Sequence, residues 1–268
     1  MATLEGGQMS FVSTAPERLG YFDIQLDHPS WEDAKVLDFG GNRGTLLSSG
    51  RIRESNYWCI DVSRDAIEQG CREYPDAHWI FYDRYNFHFN PGGIVGHPIP
   101  LRERMFDYIV AYSVFTHVSK SEMLEHVASL RDLLLENGRL AFTFIDPHYI
   151  LPRSYNSLLQ KHDPPTNLGL RLEKIRQNNP LLPVQQRLRQ AAGSEWCTLI
   201  NNGDLYLGPE DSVSHCTETK FLYDSFCTAD YMVRIFPEAT IFPPPVIYAE
   251  GAEMQHCCIL KARVEPES

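Results

Sequence analysis

Val36-Leu-Asp-Phe-Gly-Gly-Asn-Arg-Gly44 is the stretch on which the reading of this chain depends. Val36 and Leu37 read as the end of a short buried strand, Gly40, Gly41 and Gly44 as a tight turn, and residues 45–53 as a helix. A glycine turn between strand and helix lets backbone amides approach a ligand with no Cβ in the way. The next apolar run, Tyr57-Trp-Cys-Ile-Asp61, closes on a carboxylate 21 residues after Gly40. At that distance a carboxylate suits a ribose diol, which offers two hydroxyl donors side by side.

Three nucleotide folds compete for such a turn. The dinucleotide fingerprint needs glycines in a one-three-six register. Started at Gly40 the register gives Asn42 and Thr45, and started at Gly41 it gives Arg43 and Leu46, so neither fits. A phosphate-cradling P-loop ends in Gly-Lys-Ser/Thr, whereas this turn ends Arg43-Gly44-Thr45. Asp-x-Gly-x-x-x-Gly after a strand does fit, and it resembles the first motif of class I methyltransferases that use S-adenosylmethionine. The family's middle glycine is Asn42 here, and asparagine tolerates left-handed backbone angles.

The elements that follow extend the resemblance. A helix is expected from about Ser63 to Tyr74 with Ser63 as its cap, then a third strand over 77–83 ending in Asp83. Residues 84–104, with Pro91-Gly-Gly and His97-Pro98-Ile-Pro100, read as an inserted loop. Residues 106–114 form the clearest central strand. Ser119-Lys-Ser-Glu122 has capping-box spacing for the next helix. That helix carries Met123, Leu124, Val127, Leu130 and Leu134 near helical period. Residues 138–145 are a fifth strand. The order resembles the family's first five strands, and an expected helix over 219–236 with strands at 240–242 and 255–263 resembles its closing antiparallel hairpin.

The expected fold is therefore α/β, a Rossmann-like seven-stranded methyltransferase sheet with helices on both faces and an inserted lid lobe. Residues 1–34 read as an N-terminal arm or lid, in which 21–26 alternate and begin ordered structure or pack over the first helix. Residues 35–145 and 219–268 read as the cofactor domain, and 146–218 as an inserted substrate-covering lobe. Pro147, Pro152, Pro164, Pro165, Pro180, Pro183 and Pro209 make that lobe a poor sheet former. A loop of such length without structure of its own is improbable. A dimerisation surface is the competing reading of the lobe. Tyr149, Tyr155, Trp196 and Tyr206 offer apolar walls for an acceptor.

The resemblance implies S-adenosylmethionine as cofactor. Asp38 and the turn of Gly40, Gly41, Asn42 and Gly44 would meet its amino-acid end. Asp61 would take the ribose hydroxyls, Val62 would pack on adenine, and Asp83 would accept from the adenine amino group. Tyr112 and Ser113 would lie beside the methionine portion. Methyl transfer from a sulfonium needs alignment, exclusion of water and sometimes removal of a proton. His117 and His148 each follow a strand at the expected edge, and a neutral imidazole suits deprotonation near neutral pH. The bland alternatives are a helix-capping histidine and an exposed loop histidine. The fourth strand ends Ala111-Tyr-Ser113, neither the Asn/Asp-Pro-Pro-aromatic motif of nucleobase amino methyltransferases nor a metal-binding carboxylate. No metal is expected.

Composition narrows partners. With 268 residues, 43% of them hydrophobic, the chain can bury one sizeable core. A net charge of −11 argues against a nucleic-acid surface. Seven scattered cysteines make no disulfide framework, which fits buried thiols in the cytoplasm. No apolar run has the length of a membrane span. The expected activity is methyl transfer to an O, N or C nucleophile of a small molecule, in bacterial specialised metabolism. The alternatives are a cofactor-dependent but non-methylating reaction such as a cyclisation, or a catalytically silent partner subunit. A homo-oligomer or a partner subunit is compatible with either.

Overall fold

The computed structural model describes residues 15–86, 89–148, 195–199, 205–206, 224–244 and 255–263, with single positions 186, 189, 190 and 193. Four buried residues in a row, Val36–Phe39, form β1. Tyr57–Asp61 forms β2, Arg64–Glu73 α2, His78–Phe81 β3 and Phe106–Ala111 β4. Lys120–Asp132 forms α3 and Leu134–Ile145 β5. After the smaller strands β6 (Trp196–Leu199), β7 (Leu205–Tyr206) and β8 (Asp224–Cys227) come α4 (Ala229–Ile235), β9 (Thr240–Phe242) and β10 (Gln255–Lys261). A helix before all of these, α1, spans Ala15–Gln25.

The main sheet has seven strands in the order β3-β2-β1-β4-β5-β10-β9. The first five run parallel, and β10 is antiparallel to both β5 and β9. Parallel strands are covered on both faces, and two apolar clusters do this. On one face Leu37, Phe39, Ile109 and Phe142 pack with Met123, Val127 and Leu130 of α3 and Met232 of α4. On the other, Val36, Tyr57, Val110, Ala141 and Cys257 pack with Leu19 and Phe22 of α1, Leu26 just after it and Ile67 of α2. The adjacent Cys257 and Cys258 fall in opposite clusters, as strand alternation requires. The expected sheet is thus present, and so are both caps. Ser63 accepts from the Ala66 amide, and Ser119 and Glu122 close a reciprocal capping box.

Six local expectations are corrected. The helix expected over 45–53 is only a 3-10 turn, Leu47–Ser49. Ser48 donates its hydroxyl to the Thr45 carbonyl, and Gly50 ends the turn at φ 70°. The alternation over 21–25 belongs to a helix that buries Leu19, Tyr21 and Phe22, with buried Leu26 directly after it. The fifth strand starts at Leu134 rather than Gly138, so Leu134 leaves the α3 stripe. Its pairing with β4 shifts register between Phe106 and Tyr108. Residues 224–227 are strand rather than helix, because Ser225, Phe226 and Cys227 are all buried and pair with β6. α4 begins only after Thr228, whose hydroxyl accepts from the Tyr231 amide. Strands also occur inside the proline-rich stretch, where β7-β6-β8 make a three-stranded antiparallel sheet. Trp196, expected as an acceptor wall, is instead a core residue 6.5 Å from the Tyr231 ring. Tyr149 and Tyr155 lie outside the described residues.

Candidate active site

The site is built where the carboxyl ends of β1, β2 and β4 meet. Gly40 and Gly44 have φ of 74° and 85°, angles that side chains rarely adopt. Both are also packed from outside. A Cβ on Gly40 would stand 2.4 Å from Val114 Cγ2, and one on Gly44 2.7 Å from the Trp79 ring. Gly41 is pressed in the same way on Asp38 and Cys59. Asn42, in place of the usual glycine, takes φ 56° and caps itself into the turn by accepting from the Arg43 amide at 2.8 Å.

The turn spends its amides internally. Gly40 N donates to Ile60 O at 2.7 Å, Asn42 N to Asp61 Oδ2 at 2.8 Å, and Gly44 N to Gly41 O at 3.1 Å. A phosphate nest needs several converging amides, and this turn is a poor one. Gly40, Gly41 and Gly44 also serve close packing, since a Cβ on any of them would meet a neighbouring side chain.

Asp61 is the hinge of the arrangement. Its Oδ2 accepts from the turn through Asn42, and its Oδ1 accepts from Ser63 N at 2.7 Å, at the start of α2. Burial pushes its carboxyl up, against the pull of the Ser63, Asn42 and Val62 amides. A carboxylate has about four lone-pair sites, so Asp61 keeps capacity beyond these amides for a further donor. Val62 beside it is half-buried and packs on the α3-side core.

Asp38 sits behind the turn rather than at its surface, 3% exposed, with the Tyr57 hydroxyl donating to Oδ2 at 2.7 Å. Burial raises it to about 7, opposed by Tyr57 and by the guanidinium of Arg18, with the charge of Asp61 adding to the rise. Asp83 is half-buried and accepts from Asn90 Nδ2 at 3.1 Å, which ties the 84–97 excursion back to the end of β3.

At the tip of β4, Ser113 takes φ 58° and donates its amide to Thr143 Oγ1 at 2.7 Å. A non-glycine residue held there stores strain that its surroundings must impose. Tyr112 meets the edges of Tyr21 and Phe22 of α1 at 5.8 and 6.2 Å between centroids. Arg18 lies over the ring of Tyr112, with Cζ 5.0 Å from the ring centroid. His117 is half-buried. Its carbonyl accepts from Asn86 Nδ2 at 3.4 Å, and its ring stands 6.0 Å from Phe89. His148 is exposed, with Nε2 3.3 Å from the Gly193 carbonyl and its amide donating to the buried Asp146.

The turn and Asp61 therefore come together through a direct bond, the β4 tip meets the turn where Val114 packs beside Gly40, and the two histidines are held by separate partners. Arg18 and Thr143 were missed in the sequence. Neither falls in a motif, and only the packing of α1 and β5 brings them to the strand ends.

Residues 37–140 match the family described as a methyltransferase domain. The sheet order and the likeness to solved methyltransferases show a Rossmann-like methyltransferase fold. Similar solved structures include the glycopeptide N-methyltransferase MtfA with sinefungin, which is 12% identical at a TM-score of 0.50 and matches over 94% of this chain and 96% of its own. A Pyrococcus horikoshii protein is 23% identical at a TM-score of 0.36, over 51% of this chain and 60% of its own. An Aquifex aeolicus methyltransferase dependent on S-adenosylmethionine is 17% identical at 0.36, over 47% of this chain and 64% of its own. The chain thus spans less than two thirds of the Pyrococcus and Aquifex proteins. No curated protein matches it.

Proposed function

We propose that this methyltransferase domain binds S-adenosylmethionine and transfers its methyl group to an O, N or C nucleophile of a small molecule. The observation that carries this reading is the placement of Asp61, with one oxygen on the glycine turn and the other on the cap of α2. The remaining capacity suits a hydroxyl of an adenosine ribose. The internally bonded amides of the turn add to it, because they disfavour a phosphate-bearing dinucleotide and leave carbonyls for a cationic group. MtfA has been solved with S-adenosylmethionine at a TM-score of 0.50, which supports the fold that such a site requires.

When bound, the cofactor supplies an electrophilic methyl on sulfur. The chain's own residues bind and orient it. Asp61 holds the ribose, Val62 lies along the adenine and Asp83 takes the adenine amino group. The turn of Gly40, Gly41, Asn42 and Gly44 faces the amino-acid end, with Asp38 behind it. Tyr112 and Ser113 border the methionine portion. Where the acceptor must lose a proton, His117 and His148 are the imidazoles in reach of the strand ends. Residues 1–34, 35–145 with 219–268, and 146–218 serve as arm, cofactor domain and acceptor lobe, in a biosynthetic role in the cytoplasm.

Incubation with methyl-labelled S-adenosylmethionine and extracts of small molecules tests the reading. Label recovered in an acceptor supports it. Conversion of an acceptor without label points to a cyclisation, and binding with no turnover to a silent subunit.

A further inference from the structure

The strand order reverses between β1 and β4, since the chain proceeds outward to β3 on one side and to β5 on the other. Ligands of open α/β sheets bind at that reversal, outside the carboxyl ends of the strands. Arg18, from α1, stands over it. Its guanidinium covers Tyr112, which directly follows β4, and its charge acts on Asp38 in β1.

Among the described residues no acceptor reaches its Nε, although that atom is buried. A buried donor left unpaired is costly, more so when it is charged. Arg84 also leaves a buried Nε without a hydrogen bond, but its terminal nitrogens form two bonds of 2.7 Å to Glu125. Arg131 reaches Glu238 at 2.7 Å, and Arg51 grips Asp23 with both terminal nitrogens. The carboxyl that Arg18 acts on, Asp38, accepts from the Tyr57 hydroxyl and is pushed up to about 7 by burial, so near neutral pH it carries only part of a charge against Arg18.

Arg18 is also held in place. Asp23, on the same helix, accepts from Arg51 and from Trp31 Nε1, and Tyr21 donates its hydroxyl to the Gln255 carbonyl at 3.1 Å. A guanidinium stacked on an aromatic ring and fixed in direction matches the planar fork of a carboxylate.

We infer that Arg18 binds the carboxylate at the amino-acid end of the cofactor, which makes α1 a wall of the cofactor pocket and not a cover for the acceptor. This rests on the S-adenosylmethionine reading above. It accounts for a cation at the switch point of an acidic chain, beside a turn that has few amides left to offer an anion.

Calorimetric titration of the full chain with S-adenosylhomocysteine, and with its decarboxylated amine analogue, tests the assignment. The parent is expected to prefer the carboxylate ligand. Arg18→Gln is expected to lose roughly 10- to 100-fold in affinity for S-adenosylhomocysteine while keeping its affinity for the amine. Arg18→Lys, which retains the charge and most of the stem, should lie between the two. A parent that binds S-adenosylhomocysteine, with both variants binding it equally well, overturns the role of Arg18 and leaves the cofactor reading standing. Equal losses for the two ligands also overturn it, since they report a helix-packing role. A parent that binds neither ligand overturns the cofactor reading and this assignment with it.

Discussion

Asp61 and Asp38 are two carboxylates on adjacent strands with opposite duties. Asp61 bridges the turn and the α2 cap, so its removal would release two amides as well as a ligand contact. Asp61→Asn, which keeps one carbonyl acceptor, is the cleaner variant. It should weaken S-adenosylhomocysteine by about 1.5–3 kcal/mol, the range for hydrogen bonds to a charged group. Titration calorimetry checks this, and unchanged affinity would dismiss Asp61 as the ribose partner. Asp38 predicts a pH effect instead. Its folded value of about 7 lies above the ordinary 3.8, so the folded protein keeps a proton that the unfolded chain has released. That contribution is complete below about pH 4 and is lost as pH rises towards 7, on the order of 4 kcal/mol in all. Asp38→Asn should therefore gain stability relative to the parent between pH 5 and pH 8. Urea midpoints at the two pH values read the difference, and a difference that does not change with pH would refute it.

At the scale of elements, the strand-to-helix unit after β1 carries the most information. The helix expected there collapses to three residues of 3-10 turn, so the turn is held by packing instead. Gly44 and Gly50 separate the two reasons for a glycine. Both have positive φ, but a Cβ on Gly44 would meet Trp79 while one on Gly50 meets nothing within 4 Å. Gly50→Ala should cost about 1–2 kcal/mol from backbone strain alone. Gly44→Ala should cost roughly 1–3 kcal/mol more from overpacking, with a matching loss of cofactor affinity. Denaturant unfolding of both variants checks the order, and equal costs would show that Trp79 yields freely.

For the whole molecule, a net charge of −11 disfavours a ligand rich in phosphates. S-adenosylhomocysteine at a hundred times its dissociation constant should raise stability by about 2.7 kcal/mol, while NAD should raise it little. Thermal unfolding with each ligand distinguishes them, and a larger shift with NAD would defeat the reading. The second sheet, β7-β6-β8, is pinned to this body by ion pairs. Glu195 lies 3.4 Å from Lys120 of α3 and 2.8 Å from Arg234 of α4. Among the described residues no helix is long and apolar enough to cross a membrane.

Local pattern located the strands of the main sheet, because each of its signals acts within a few residues, and the resemblance supplied their arrangement. The strand ending at Asp61, the Ser63 cap, the Ser119 capping box and the return at 240–242 and 255–263 all depend on neighbours in sequence. Contacts between distant segments decided the rest. Leu134 joined a strand because β4 offered it a partner, and 224–227 because β6 did. The turn's amides went to Ile60 and Asp61, and Asp38 went under Tyr57, because β2 lies alongside β1. Arg18 reached the switch point only through the packing of Leu19, Phe22 and Leu26 on the sheet. A single guanidinium in a polar arm carries no periodic signal, and its direction is set by tertiary burial alone.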